Sequence, residues 1–373
     1  MRFQLPDFPW DTLAPYAAKA RAHEGGVVDL SVGTPVDPTP AVVQEALAAA
    51  SDAPGYPLTY GTADLREAVS AWFARRRGVP DVDPHGVLPT IGSKELVGLL
   101  PTLLGLGPGD VVVHPQVAYP TYDVGARLAG AEPVAADGTA QLGPLASRVR
   151  LLWLNSPGNP TGRVLGVNHL AKVVAWARQH GVVVASDECY AEFAWAPLLG
   201  ADSSPPHVPS ILDPAVCQGS HDGLLAVYSL SKQSNLAGYR AAFAAGDVAL
   251  VRRLLEVRKH AGLIVPWPVQ RAMVAALGDD EHVAAQRNRY AERRTLLGAA
   301  LRGAGFEVDH SEAGLYLWCT RGEDCWTTVA RLADRGILVA PGAFYGPAGA
   351  RHVRVALTAT DERVAAAVTR LAS

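Results

Sequence analysis

The sequence predicts an α/β protein: a large unit built on a mostly parallel, mixed sheet flanked by helices, with a smaller α+β unit beside it. Three observations carry that expectation. Short apolar runs alternate with helical patterns from Ser93 to Ala245, those runs are apolar at successive positions as strands buried on both faces must be, and the pattern changes after Pro266, Trp267 and Pro268. The chain has 373 residues, enough for two such units, and 49% of them are apolar, which suits a globular protein.

In order, Thr39 and Pro40 are placed to cap and open a helix over Ala41 to Ala50. A second helix starts at Thr62, sets Leu65, Ala68, Val69, Trp72 and Phe73 on one face, and stops at Gly78. A helix from Ser93 carries Leu96, Val97, Leu99 and Leu100. Strands follow at Val111 to His114 and Leu151 to Asn155, then a helix through Leu170, Val173, Val174 and Ala177 that Gly181 ends. Strands at Val182 to Ala185, Leu224 to Leu230 and Ala241 to Ala245 continue the alternation. The last part reads as a polar-faced helix from Glu281 to Arg302, a strand Gly314 to Cys319, a helix Trp326 to Arg335, a strand Val353 to Leu357 and a closing helix. The expected units are an arm over 1–40 that shares in the small unit, a large unit over 41–265 and a small unit over 266–373. Ser203 to Pro209 reads as a surface loop, and there is no internal repeat.

A formal charge of -3, with no basic block interleaved with aromatics, suggests neither nucleic acid nor an anionic membrane as partner. Arg75, Arg76 and Arg77 end a helix, where cations suit the negative dipole end. Cys189, Cys217, Cys319 and Cys325 have neither metal-ligand spacing nor the look of a disulfide framework, so no metal is expected and a reducing cytoplasm fits. The first residues, MRFQLPDFPWDTLAPY, lack the pattern of an export signal, and no apolar stretch reaches about 18 residues.

Three segments carry chemistry. Tyr228 to Arg240 joins an apolar strand to Ser229, Ser231 and Lys232, with Arg240 eight positions after the lysine. Hydroxyls and a guanidinium fork are what a phosphate dianion needs, and a lysine beside a bound phosphate ester is placed to hold a carbonyl cofactor covalently. Asn155 to Gly162, NSPGNPTG, leaves a strand at the sheet edge where open α/β sheets bind ligands, although it could be an ordinary turn. Ser186 to Tyr190 puts Asp187 just past an apolar strand, where a carboxylate needs a cation as partner.

Together these segments resemble the class I and II aminotransferases of pyridoxal 5′-phosphate (PLP) fold type I, over nearly the whole chain. The resemblance implies that Lys232 is the Schiff-base lysine, that Asp187 pairs with the pyridinium nitrogen, and that Asn159 and Tyr190 bond the ring's phenolic oxygen. Gly92, Ser93 and Lys94 match the turn that sets the phosphate on a helix amino terminus, and Ser229, Ser231 and Arg240 complete the cup. Tyr119 matches the aromatic residue that stacks on the ring, with Tyr122 as the alternative. Tyr60 matches a residue that reaches the phosphate of a neighbouring subunit, which implies a homodimer with shared sites. Arg354 matches the clamp on the substrate α-carboxylate, with the backbone of Gly33 on the same group. The implied substrates are amino acids and 2-oxo acids.

Within that group, Phe8 to Asp11, the run Leu30 to Pro40 and Arg258 to Gly262 resemble bacterial N-succinyl-LL-diaminopimelate aminotransferases of lysine biosynthesis. Glutamate would then be the amino donor, and Lys259 or His260 could meet the distal succinyl carboxylate, unless they are simply the cationic end of the helix starting near Asp247. The other readings are an aminotransferase for aspartate, alanine, aromatic amino acids or free LL-diaminopimelate, a PLP β-lyase, and a non-catalytic sensor on the same fold. The last usually carries a DNA-binding extension, for which no basic helix-turn-helix segment is present.

Overall fold

The computed structural model describes residues 5–195 and 207–372. Seven strands make the central sheet: β1 (Val87–Ile91), β2 (Val111–His114), β3 (Glu132–Ala135), β4 (Val149–Asn155), β5 (Val183–Asp187), β6 (Leu224–Ser229) and β7 (Ala241–Gly246). They lie in the order β1-β7-β6-β5-β4-β2-β3. Only β7 runs against its neighbours, β1 and β6, while the pairs from β6 to β3 are all parallel. The expected α/β sheet, mostly parallel and mixed, is therefore present.

Strands β1 and β3 were not foreseen, and their sequences explain why. Each contains a proline, Pro89 or Pro133, and each is an edge strand, where a missing N–H leaves no gap in the ladder. Both sheet faces are covered. Val113, Leu152 and Leu154 pack with Leu170 and Val173 of a helix over Val167–His180, whereas Val112, Leu151 and Trp153 face Leu96, Val97 and Leu100 of α1 (Ser93–Leu103).

A second core lies around β8 (Glu307–Asp309), β9 (Tyr316–Thr320), β10 (Ala340–Pro341) and β11 (His352–Ala356), an antiparallel sheet in the order β10-β11-β9-β8. Chain ends meet here: Val28–Asp29 pairs with Ile337–Leu338, the amide of Ala356 donates to the carbonyl of Leu30 at 2.8 Å, and Leu13, Ala17 and Ala20 pack into the same core.

Helix ends follow the sequence at most points. Thr62 accepts from the Leu65 amide at 3.3 Å, Gly78 (φ 63°) and Gly181 (φ 63°) close their helices in the left-handed region, and Asp247 caps α2 (Val248–Ala261). Thr39 does not cap. The helix Ala41–Ala49 starts from Pro40 with no side-chain cap, because the Thr39 hydroxyl donates instead to the carbonyl of Asn235 at 3.3 Å. The arginines after Ala74 are also more than helix-end cations: Arg75 pairs with Asp280, Arg76 with Glu192, and Arg77, 2% exposed, with the buried Glu188 at 3.0 Å. Of the expected loop Ser203 to Pro209, residues 203–206 lie outside the described residues, and 207–209 are neither helix nor strand. All four cysteines are buried and free. Among the described residues no cluster could hold a metal ion, and no helix is long and apolar enough to cross a membrane.

Candidate active site

Parallel pairing puts the carboxyl ends of β4, β5 and β6 on one edge, and the chemistry-bearing residues leave the sheet there. Asn155 pairs with Asp187 and Asp187 with Val227 in register, and Ser229 ends β6 where the short helix α3 (Leu230–Gln233) presents Lys232. A ligand at this edge meets all three strand ends at once.

The Lys232 ammonium donates to the carbonyl of Gly33, and burial lowers its pKa from the usual lysine value. Asp187 is 7% exposed; its Oδ2 accepts from the Tyr122 hydroxyl at 2.8 Å and its Oδ1 from the amide of Cys189 at 3.2 Å. Burial raises the Asp187 pKa, so this carboxylate gains most from a cationic partner. Tyr122 is fully buried with its ring stacked on Trp153 at 5.1 Å, whereas Tyr119 is half-buried and meets Tyr122 edge-on at 6.0 Å.

Asn155 ties two of the loops together. Its Oδ1 accepts from the Asn159 amide at 2.7 Å, and its Nδ2 donates to the carbonyl of Asp187 at 3.0 Å. Asn159 Oδ1 in turn accepts from Arg354 Nη1 at 2.9 Å, and Arg354 Nη2 donates to the carbonyl of Ser31 at 2.6 Å. Arg354 is 3% exposed, lies 4.0 Å over the Tyr316 ring, and its Nε is buried with no partner among the described residues. The hydroxyls of Tyr190 and Tyr316 are 3.1 Å apart, and burial raises the pKa of Tyr190.

Gly92 has φ 77° and ψ 151°, a conformation close to the glycine-only region, and it precedes the first residue of α1. A Cβ there would strike the guanidinium of Arg240, itself a left-handed residue with φ 55° and anchored to the carbonyl of Ala237 at 3.0 Å. Ser229 donates to the Ser231 hydroxyl at 2.9 Å, both side chains being buried.

The predicted residues divide by where they lie. Lys232, Gly33, Asp187, Tyr119, Tyr190, Asn159 and Arg354 converge, directly or through Tyr122 and Tyr316, while Gly92 meets Arg240 and Ser93 opens the helix that follows it. Lys94 is exposed, with its ammonium 5.7 Å from the Phe8 ring centroid. Tyr60 donates to the carbonyl of its own His85 at 2.8 Å. Lys259 is exposed and paired with Glu256 at 2.7 Å, and His260 is exposed beside it at the end of α2. Sequence reasoning missed Tyr316, Asn155 and Ser31, and it weighed Tyr122 only as a stacking ring.

The chain matches the family model for aminotransferase class I and II over residues 25–371. It belongs to that family. It is 64% identical to a probable aminotransferase, Rv1178, of Mycobacterium tuberculosis, over 98% of this chain and 85% of that one. It is 61% identical to the 4-dedimethylamino-4-oxo-anhydrotetracycline transaminase OxyQ of Streptomyces rimosus, over 99% of both. Among solved structures, a probable N-succinyldiaminopimelate aminotransferase of Thermus thermophilus superposes with a TM-score of 0.87 at 31% identity, covering 98% of this chain and 99% of that one. The fold is that of the PLP-dependent type I aminotransferases, and the cofactor of this aminotransferase is pyridoxal 5′-phosphate. The residues fit that group: a buried amine at Lys232, a carboxylate at Asp187 that burial makes costly without a cation, and at Gly92 a turn with no side chain over which Arg240 lies.

Proposed function

We propose that this aminotransferase moves the amino group of glutamate onto the 2-oxo precursor of N-succinyl-LL-diaminopimelate, with Lys232 as its proton carrier and Arg354 as its carboxylate clamp. One observation carries the site assignment. Arg354 is a buried guanidinium whose Nε has no partner among the described residues, held by Asn159 and Ser31, in the same cluster as the buried amine of Lys232. A buried donor without a partner is uncommon enough to ask for a ligand, and an α-carboxylate supplies the matching charge.

The cofactor, when bound, supplies an electron sink for the electrons of the substrate Cα–H bond. Asp187 would hold a proton on its pyridine nitrogen, and Tyr122 with the Cys189 amide orients that carboxylate. Lys232 Nζ is the group that would accept the proton from the substrate Cα and return it to the far side of the same imine, work that suits an amine whose pKa burial has lowered. Asn159 and Tyr190 would hydrogen-bond the phenolic oxygen, Tyr119 rather than Tyr122 would meet the ring because Tyr122 is already engaged with Asp187, and Gly92, Ser93, Ser229, Ser231 and Arg240 would hold the phosphate. Lys94, turned towards Phe8, adds only its backbone. Tyr60 serves the site of a second copy, and the exposed Tyr56 and Leu58 beside it are apolar surface for such a homodimer.

The choice of acceptor rests on likeness. The Thermus thermophilus protein is named for the succinyl substrate, and a Gloeobacter violaceus relative 36% identical over 95% of this chain and 92% of that one is an LL-diaminopimelate aminotransferase. A second reading, amination of a tetracyclic ketone, is favoured by the full-length likeness to OxyQ. A panel of acceptors with glutamate as donor, read by mass spectrometry of the aminated product, tests both. Turnover of the succinylated oxo acid is expected; its absence beside turnover of an anhydrotetracycline ketone would transfer the assignment to the second reading. Arg354→Lys should depress all amino-acid donors together, by about tenfold to a hundredfold in kcat/KM. An effect limited to one donor would remove the clamp assignment.

A further inference from the structure

Beside the turn assigned to the phosphate stands an ion pair, a fully buried arginine on a partly buried glutamate, that the chemistry above does not use. Arg258 of α2 is 0% exposed, and its Nη1 and Nη2 donate to Glu95 Oε1 and Oε2 at 2.7 and 3.1 Å. Glu95 lies in the first turn of α1, and its Oε2 also accepts from the amide of Ile91 at 3.1 Å, closing the chain around Gly92 and Ser93. Arg258 Nη2 donates further to the carbonyl of Leu263 at 3.3 Å. One guanidinium thus joins two helices and the turn after α2.

A buried Arg–carboxylate pair gives little net stability, since apolar replacements of such pairs are often neutral or stabilising. Its position suggests another use. A carboxylate in the first turn suits the helix dipole but repels a dianion arriving at the same amino terminus. A guanidinium clamped on both its oxygens offsets that repulsion and keeps the carboxylate on the Ile91 amide. We infer that Arg258 is a positioning residue for the cofactor phosphate, acting through Glu95 to keep the Gly92–Ser93 turn both shaped and electrostatically open to a dianion. This rests on the reading that the turn takes the phosphate.

Apoprotein titrated with PLP and with pyridoxal, which lacks the phosphate, separates the two claims by absorbance of the bound cofactor. Wild type should bind PLP far more tightly than pyridoxal; equal affinities would overturn the phosphate reading and this inference with it. Arg258→Met should weaken PLP by about tenfold or more, as expected for an uncompensated charge, while pyridoxal changes by less than about threefold. The double variant Arg258→Met with Glu95→Gln should recover most of the PLP affinity, because no bare carboxylate then faces the phosphate. Equal losses for both cofactor forms in Arg258→Met, or no recovery in the double variant, would show a merely structural pair. Should Arg258→Met fail to fold, Glu95→Gln alone decides. It keeps the cation and an oxygen for Ile91 and should bind PLP within about threefold of wild type or tighter, whereas a tenfold loss confined to PLP would overturn the inference.

Discussion

Lys232 and Asp187 show how burial alone moves protons in opposite directions, since it disfavours the charged form of each: the lysine pKa falls and the aspartate pKa rises. For Lys232 the sign has a direct reading. The neutral amine is the reactive form, so in cofactor-free protein acetylation of Lys232 should reach half its plateau at a lower pH than acetylation of the lysine in a short reference peptide. Mass spectrometry of the respective peptides across pH measures this, and coincident profiles would contradict it. At this scale Lys232 and Asp187 were legible because charged side chains at the ends of apolar strands are chemically conspicuous, and Arg240 because its guanidinium follows the lysine and its neighbouring hydroxyls at short spacing. Tyr316 was not, since in Gly314-Leu-Tyr-Leu-Trp318 an aromatic reads as core, and its hydroxyl contact with Tyr190 spans 126 residues. The bond from Tyr122 to Asp187 spans 65 residues, and no local pattern announces it.

Among the elements, the start of α1 has a backbone that resists replacement of Gly92. Gly92→Ala should cost about 1 to 3 kcal/mol in backbone strain at that residue and displace Arg240 besides. PLP affinity should therefore fall at least about tenfold, measured by apoprotein titration, while pyridoxal affinity falls less. An Ala variant with unchanged PLP affinity would mean that the turn is not the phosphate site. Elements with a strong apolar period, such as Ala63–Arg77 with Leu65, Val69, Trp72 and Phe73, could be read from the sequence because periodicity and packing agree. Strands β1 and β3 could not, because an edge strand tolerates the proline that in a sequence argues against any strand. The cap at Thr39 failed for a different reason: a partner nearly two hundred residues away, Asn235, takes its hydroxyl.

At the scale of the whole molecule, family likeness made the fold legible at once, while the acceptor stayed open because relatives with one architecture are named for different substrates. The shared-site reading has a test at this scale. Sedimentation should give a dimer, and Tyr60→Phe should weaken PLP by about tenfold without altering dimer mass, as loss of one hydrogen bond to a charged group predicts. A monomer at working concentrations would remove it. Finally, Arg354 is held by Ser31, from near the start of the chain, and by Asn159, from the middle. A nascent polypeptide emerging from the ribosome therefore carries Lys232, Gly92 and Asp187 before it carries Arg354, so the cluster closes only once the last strand of the antiparallel sheet has been made.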